Sequence, residues 1–293
     1  IKNGYVDVQR GNGHFLALMD DGTVIAWGQN DREQAEVPEG LSDIVAISAG
    51  AYHNLALKRS GEVVAWGDDE FGQSSTPTDL ENVVAVSAGY FHSLALLDGG
   101  RVAAWGNDAQ GQSEVPQDLA EVLSIAAGPR HSHALTGDGR IVVWGDSSSP
   151  PVDLPEAVAI ATGEEHSLAL TSDGRVVGWG IFCCSSVPDE LGDMTVVAVS
   201  ASETYNLALT DDGKLYGWPF GGRYLFEVPV RVGPIASISS GWNTTVVVGE
   251  NGRLQILGDS DDWVPDYLSG ITSLSVGSGP LEPSNLYKAL GSD

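Results

Sequence analysis

The chain has 293 residues and a formal net charge of −26, with 40 acidic and 14 basic residues. A charge of this sign repels nucleic acid and anionic membrane surfaces, so we expect neither as a partner. The sequence contains no apolar run near the roughly 18 residues that a membrane-spanning helix needs, so we expect no membrane insertion.

A repeating unit runs along the chain, and its clearest copy extends from Val84 to Pro116. Each copy has a short apolar run, a Gly-x-x-His corner, a second run, an Asp-Gly turn and a third run that ends in Trp-Gly. Period-two alternation and β-branched residues predict antiparallel strands. The third runs end 39 residues apart, except for one step of 35. Their last residues before glycine or proline are Trp27, Trp66, Trp105, Trp144, Trp179, Trp218 and Leu257.

Strand repeats of this length predict an all-β propeller, because a ring of sheets protects most strand edges. We expect seven blades, each a four-stranded antiparallel sheet, in a single domain that spans residues 1–293. Incomplete repeats near residues 1–20 and 271–290 predict that one terminus helps to complete a blade.

The repeats differ most at their corners. Repeats one to three are the most regular, whereas repeat four carries Pro129-Arg130 before its histidine and has a short loop after Trp-Gly. Repeat five carries Glu164-Glu165, and repeat six has Tyr205 in place of the histidine. Variation confined to one kind of loop indicates that function is located there.

The corner and the polar loop after Trp-Gly are separated by two strands, so both are predicted to emerge on one face of the ring. The Asp-Gly turns then lie on the opposite face. Aromatic and acidic residues collect on the corner side, as on surfaces that bind proteins, although packing and solvation explain any single one equally well. The predicted partner-binding residues are Tyr52, Asp69, Phe71, Tyr90, Phe91, Asp108, Arg130, Glu165, Tyr205, Trp242, Asp262 and Trp263.

Five corner histidines occupy equivalent positions, so a ring places them apart. A zinc ion needs its ligands within about 2.3 Å, so we expect hydrogen bonds between blades and no metal site. The acids at Asp259–Asp262 lack the spacing of a calcium-binding EF-hand. The adjacent pairs Asp68-Asp69 and Glu164-Glu165 suit a glycosidase only if both side chains point together. The histidines are His14, His53, His92, His131 and His166.

No catalytic residue, metal or cofactor is therefore predicted, and we expect a protein that is not an enzyme. Two adjacent cysteines, Cys183 and Cys184, provide no long-range cross-link, and a vicinal disulfide and two free thiols are both open. An acidic, lysine-poor chain that starts at Ile1 favours a secreted or cell-surface protein, and we expect a monomer.

The residues SAGYFHSLALLDGGRVAAWG resemble the repeat of the regulator-of-chromosome-condensation family of seven-bladed propellers. The continuation WGNDAQGQSEVP is similar to that of the secreted bacterial β-lactamase inhibitory proteins of type II within that superfamily. This resemblance implies that corner aromatics and loop acids grip a class A β-lactamase, with departures at the corners of repeats four and five. The matching positions are Tyr52, Tyr90, Phe91, Tyr205 and Trp242 at corners, and Asp31, Asp69, Asp108 and Asp262 in loops.

The sequence thus predicts a non-enzymatic protein-binding propeller, with an inhibitor of class A β-lactamases or of another extracellular enzyme as the specific hypothesis. The alternative is a cell-surface adhesion or carbohydrate-binding module whose rim aromatics stack on sugars. An enzyme with an acidic pocket is a third hypothesis, and it requires carboxyl groups that converge.

Overall fold

The computed structural model describes residues 8–10, 13–19, 21–180, 187–219, 222–240, 244–250 and 254–258. Within these ranges the chain forms seven antiparallel sheets, here called blades 1 to 7 in chain order. Blades 1 to 4 contain β1 (Val8–Arg10), β2 (His14–Leu18), β3 (Val24–Gly28), β4 (Ile44–Ala49), β5 (His53–Lys58), β6 (Val63–Gly67), β7 (Val83–Ala88), β8 (His92–Leu97), β9 (Arg101–Gly106), β10 (Val122–Ala127), β11 (His131–Thr136) and β12 (Ile141–Gly145). Blades 5 to 7 contain β13 (Ala157–Thr162), β14 (His166–Thr171), β15 (Val176–Gly180), β16 (Val196–Ala201), β17 (Tyr205–Thr210), β18 (Leu215–Pro219), β19 (Phe226–Val228), β20 (Ile235–Ser240), β21 (Thr244–Gly249) and β22 (Leu254–Gly258), and a short 3-10 helix, Asp189–Asp193, precedes blade 6.

The blades have three strands in six of the seven described sheets, and blade 6 alone has four. The prediction of four-stranded blades was therefore wrong for blades 1 to 4, in which the segment after the third strand is fully described. After the third strands of blades 1 to 3 the chain forms turns that its own side chains close, as where Asp108 Oδ1 accepts from the Ser113 N–H at 2.8 Å. A proline later in this loop, such as Pro77 or Pro116, has no N–H to contribute to a strand ladder.

Apolar side chains pack between each blade and the next around the described ring. The indole of Trp105 in blade 3 lies against Leu55 and Leu57 of blade 2. Phe15 of blade 1 packs on Val246 of blade 7, so the ring closes between the first and last described sheets. The tryptophan that ends a third strand can therefore pack on the neighbouring blade.

The first strand of each blade lies nearest the axis of the ring. The Ser48 hydroxyl in β4 accepts from the Ala88 N–H in β7 at 2.9 Å, and Ser87 accepts from Ala127 N–H in the same way. Neighbouring sheets of a ring approach most closely at its centre, so these contacts place the first strands there. The second strand follows outward, and in β8 every side chain is buried.

The Asp-Gly hairpin turns are confirmed where the structure describes them. Gly99, Gly139 and Gly174 have φ of 85°, 77° and 80°, which glycine adopts without strain. The turns also join blades, because the Gly100 carbonyl accepts from the Val122 N–H of the next first strand at 3.1 Å.

Several predictions fall on segments outside the described residues. These include the half-repeat near residues 271–290, the acids at Asp259–Asp262 and the pair Cys183-Cys184. The extent of the domain over residues 1–293 stays a prediction. In the described part of the chain, no helix has the length and apolar character to span a bilayer.

Candidate protein-binding surface

The corner and the polar loop of blades 1 to 4 are joined by backbone hydrogen bonds. The Phe91 carbonyl accepts from the Asn107 N–H at 2.8 Å, and the Tyr52 carbonyl accepts from the Asp68 N–H at 2.9 Å. Both segments therefore emerge on the same side of the ring, as predicted. This side is called the corner face below.

Each regular corner is anchored by a histidine that bonds to the next blade. Nε2 of His53 donates to Ser93 Oγ at 2.9 Å, and Nε2 of His92 donates to Ser132 Oγ at 2.9 Å. Burial, with smaller repulsion from neighbouring histidines, lowers the pKa of His53 and His92 to about 3, so both are neutral at pH 7. The prediction of hydrogen bonds between blades is confirmed.

The glycine of the corner is required by this histidine. A Cβ atom at Gly50 would lie 2.3 Å from the His53 ring and 2.4 Å from the Gly89 carbonyl oxygen. Within the described residues, no three His, Cys, Asp or Glu side chains could share a metal ion.

A buried glutamine fixes each regular polar loop to the next blade. The Gln73 carbonyl accepts from Trp105 Nε1 at 2.9 Å and from the Ser93 hydroxyl at 2.9 Å. The Gln73 side chain accepts from the Phe71 N–H at 2.9 Å and donates to Asp68 at 2.6 Å. The loop is thus held from within and from the next blade, and it presents Phe71 on the corner face.

Four predicted site residues form one cluster, here called the aromatic platform: Tyr52, Phe71, Tyr90 and Phe91. The Phe91 ring lies at its centre, with ring centroids 6.1 Å from Tyr52, 5.4 Å from Phe71 and 6.3 Å from Tyr90. Phe71 is 45% exposed. The platform joins the corners of blades 2 and 3 and offers aromatic surface to a partner.

A cavity of about 260 Å³ adjoins the platform. Its lining brings together Tyr90 and Phe91 of blade 3, Pro129 and Arg130 of blade 4, and Glu164 of blade 5. The polar loop of blade 3 completes the lining with Asn107, Ala109, Gln110 and Gln112. The cavity thus combines two aromatic rings with one cation, one carboxylate and several amides.

Two glutamates from neighbouring corners share a hydrogen bond beside this cavity. Glu203 of blade 6 meets Glu164 of blade 5, and Glu165 adds repulsion. Burial, followed by that hydrogen bond and the nearby charges, raises the pKa of Glu203 to about 8. Oε2 of Glu203 is buried and finds no hydrogen-bond partner among the described residues.

The sequence interpretation missed this pair because it compared Glu164 with its neighbour Glu165. A usable signal was present, since Glu164 and Glu203 occupy the same corner position one repeat apart. Neighbouring blades bring equivalent positions together, so a residue is best compared with its equivalent 39 residues away.

Tyr205 was wrongly placed on the binding surface. It is only 5% exposed, and its hydroxyl is hydrogen-bonded to Thr245 Oγ1 at 2.7 Å in blade 7. Tyr205 therefore makes the hydrogen bond to the next blade that a histidine makes at the regular corners. Trp242, Asp262 and Trp263 lie outside the described residues.

The remaining predicted site residues lie on the corner face. Asp69 and Asp108 are exposed, although each also closes its own loop by accepting a backbone N–H. Arg130 is exposed and lies 3.8 Å from Asp146. Glu165 is half-buried beside Glu203.

The repeat architecture matches one known family model, the regulator of chromosome condensation (RCC1) repeat. The match covers residues 5–34, 44–73, 83–112, 122–149 and 157–185, which together span half of the chain. The chain belongs to the RCC1 repeat family. Comparison with curated proteins gives no match.

Solved structures share this fold at low sequence identity. Human WBSCR16 is 18% identical with a TM-score of 0.68, over 84% of this chain and 87% of that one. Prp20p from Saccharomyces cerevisiae is 22% identical with a TM-score of 0.65, over 78% of each chain. The CRINKLY WD40 ectodomain of the Arabidopsis thaliana receptor kinase ACR4 is 21% identical with a TM-score of 0.68, over 87% of this chain and 95% of that one. Similarity at this level shows the fold alone.

Proposed function

We propose that this RCC1-repeat propeller is a non-enzymatic protein that binds a partner protein through its corner face. The observation that carries the proposal is the aromatic platform beside an open cavity. Large rings on a rigid scaffold provide contact area at little cost in conformational entropy, and such rings often dominate binding energy.

Structural relatives support protein binding as a use of this fold. Prp20p is described with its binding properties to Gsp1p and histones, and a second structure has yeast RCC1 (Prp20) bound by Kap60. Gsp1p, histones and Kap60 are partners of Prp20p, and none of them is proposed for this chain. We carry over only the kind of function, which is the binding of another protein by the loops of a propeller.

The paired glutamates do not favour a glycosidase. Glycosidase carboxyl groups stand about 5–9.5 Å apart to admit the sugar or a water molecule. Glu164 and Glu203 are hydrogen-bonded to each other and leave no such gap. A binding role therefore suits these carboxyl groups better than catalysis.

The narrower form of the proposal is a secreted or cell-surface inhibitor of a class A β-lactamase. Its support is the similarity of the WGNDAQGQSEVP loop to that of the inhibitory proteins. The platform also contains Tyr52, Tyr90 and Phe91, three of the corner positions that this resemblance implies. The alternative partner is a carbohydrate, favoured by the exposed Phe71 ring and testable on a glycan array.

Titration against a purified class A β-lactamase with a chromogenic substrate tests the narrower form. We expect inhibition below micromolar concentration, and at least about tenfold weaker inhibition by Phe91→Ala, since hot-spot aromatics contribute 2 kcal/mol or more. Leu123→Ala is the matched control, because Leu123 is 67% exposed at the opposite end of its blade. An enzyme that stays fully active with micromolar protein removes the β-lactamase form of the proposal.

A further inference from the structure

We propose that the cavity of the corner face takes a lysine or arginine side chain from a basic segment of the partner protein. This inference rests on the proposed function, because it names the chemistry of the partner that the same surface binds.

The first argument is the arrangement of rings and charge around the cavity. Tyr90, Phe91 and Glu164 all line the cavity. Ring faces and a carboxylate together attract a cation that enters between them. The whole chain, with its net charge of −26, draws a basic segment toward the surface from a distance.

The second argument is the arrangement of the glutamates. A hydrogen bond with Glu164 contributes to the raised pKa of Glu203, so the two carboxyl groups lie within hydrogen-bond reach of each other. Oε2 of Glu203 is buried and lacks a hydrogen-bond donor among the described residues. A guanidinium or ammonium group supplies both the charge and the N–H donors that this pair lacks.

The cation already present does not fill this role. Arg130 lines the cavity, but the ion pair described for it is with Asp146, at 3.8 Å, and both side chains are about half exposed. The charge of Arg130 is therefore directed toward the polar loop of its own blade. No ion pair between Arg130 and Glu164 or Glu203 is described, so a cation of the partner protein can pair with these glutamates.

Binding of a cation in this position is coupled to ionisation of Glu203. The charged groups that act on Glu203 are Glu164 and Glu165, and Arg130 lines the cavity together with Glu164. The pKa of Glu203 is raised to about 8, so its carboxyl group is protonated in most free molecules at pH 6.5 and ionised in most at pH 8.5. If only the ionised form accepts the cation, affinity rises roughly twentyfold over that range.

A phage-displayed library of disulfide-closed peptides provides the probe. The library is panned on the full chain at pH 8.5 and counter-selected on Phe91→Ala, which retains only peptides that need the platform. We expect the retained peptides to carry a shared lysine or arginine. A synthetic copy of the strongest is then titrated calorimetrically at pH 6.5 and 8.5.

Variants separate the proton-linked effect from general electrostatics. Glu203→Gln is expected to weaken binding at pH 8.5 and to abolish the roughly twentyfold change with pH. Glu81→Gln removes an exposed acid at the end of blade 3 opposite the corner face. It is expected to leave unchanged both the affinity at pH 8.5 and the change of affinity with pH. If Glu203→Gln fails to fold, Glu164→Gln replaces it, because either change removes the carboxyl pair.

The outcomes distinguish this inference from the function on which it depends. Peptides that need Phe91 but carry no basic residue, or that bind equally at both pH values, overturn the cation inference alone. A library that yields no peptide sensitive to Phe91→Ala overturns the corner face as the binding surface.

Discussion

The interface between blades 3 and 4 and the interface between blades 4 and 5 come from the same repeat but differ in their polar contacts. At the first, the Gln112 carbonyl accepts from Trp144 Nε1 and from the Ser132 hydroxyl, each at 2.9 Å. At the second, Trp179 Nε1 is buried and has no hydrogen-bond partner among the described residues.

The cause is the short loop after Trp144, which lacks the docking glutamine. His133 contacts the two side chains that the glutamine carbonyl would bind in a regular repeat. Its Nε2 lies 3.0 Å from Ser167 Oγ, and its ring lies 5.8 Å from that of Trp179. Trp179 is still only 4% exposed, packed in the apolar cluster of that interface. Apolar packing therefore builds the ring, and the glutamine carbonyl anchors the loop to it.

The largest expected effect is the loss of an indole, either at a regular interface or at the irregular interface between blades 4 and 5. Trp105→Ala, at the regular interface between blades 2 and 3, is expected to destabilise by about 3–5 kcal/mol through the cavity that it leaves. Trp179→Ala should cost about 1 kcal/mol less, because no hydrogen bond is lost. Denaturant unfolding measures both, with Leu123→Ala as an exposed control within about 0.5 kcal/mol. Equal costs for the two tryptophans would contradict the comparison.

The next largest expected effect is a loss of folding stability in acid, because both interfaces bury neutral histidines. Burial lowers the pKa of His92 to about 3 and that of His131 to about 4, below the value near 6.5 of an unfolded histidine. The unfolded chain therefore binds more protons below pH 6.5. The stability that these groups contribute is complete above pH 6.5 and falls as pH drops toward 3–4, by roughly 3 kcal/mol per histidine at pH 4.

Thermal unfolding between pH 7 and pH 4 measures this loss. His92→Gln keeps a donor for Ser132 but cannot titrate, so its melting temperature should fall less over this range than that of the unchanged protein. The raised pKa of Glu203 acts in the opposite direction, since acid relieves the cost of ionising that carboxyl group. A His92→Gln slope as steep as the original would contradict the assignment of the acid sensitivity to the histidines.

The smallest expected effect is the gain in stability when the irregular interface between blades 4 and 5 is given a regular loop. Residues 146–151 are replaced by the ten-residue loop 107–116, which restores the 39-residue spacing and a docking glutamine. His133→Leu is made with it, since leucine occupies the equivalent position, Leu94, in blade 3. We expect a gain of about 1 kcal/mol from the hydrogen bond to Trp179 Nε1. His133→Leu alone is the control, and a graft no more stable than that control would show that the glutamine is dispensable.

Much of the fold was predictable because its signals are local and recur. The Asp-Gly pairs mark turns, the Gly-x-x-His corners mark contacts between blades, and the Trp-Gly ends mark the packing surface. The number of strands per blade was not predictable in this way. The loop after Trp-Gly is long enough for a fourth strand, and only the glutamine contact with the next blade shows why turns replace it in the regular repeats.

The candidate site was predictable in part. Tyr52, Phe71, Tyr90 and Phe91 stood out as aromatic residues in loops, and the structure brings them together. Tyr205 looked equally suitable, but its place in the corner position of a histidine buries it.

By itself, the sequence determined that this protein is a ring of β-sheets with its variable loops on one face, because the repeat period and the alternation of strands are properties of the chain. Tertiary structure alone decided which loop residues meet. The Glu164–Glu203 pair and the His133–Trp179 contact join neighbouring blades. Closure of the ring sets such distances, since it brings residues one repeat apart within hydrogen-bond reach.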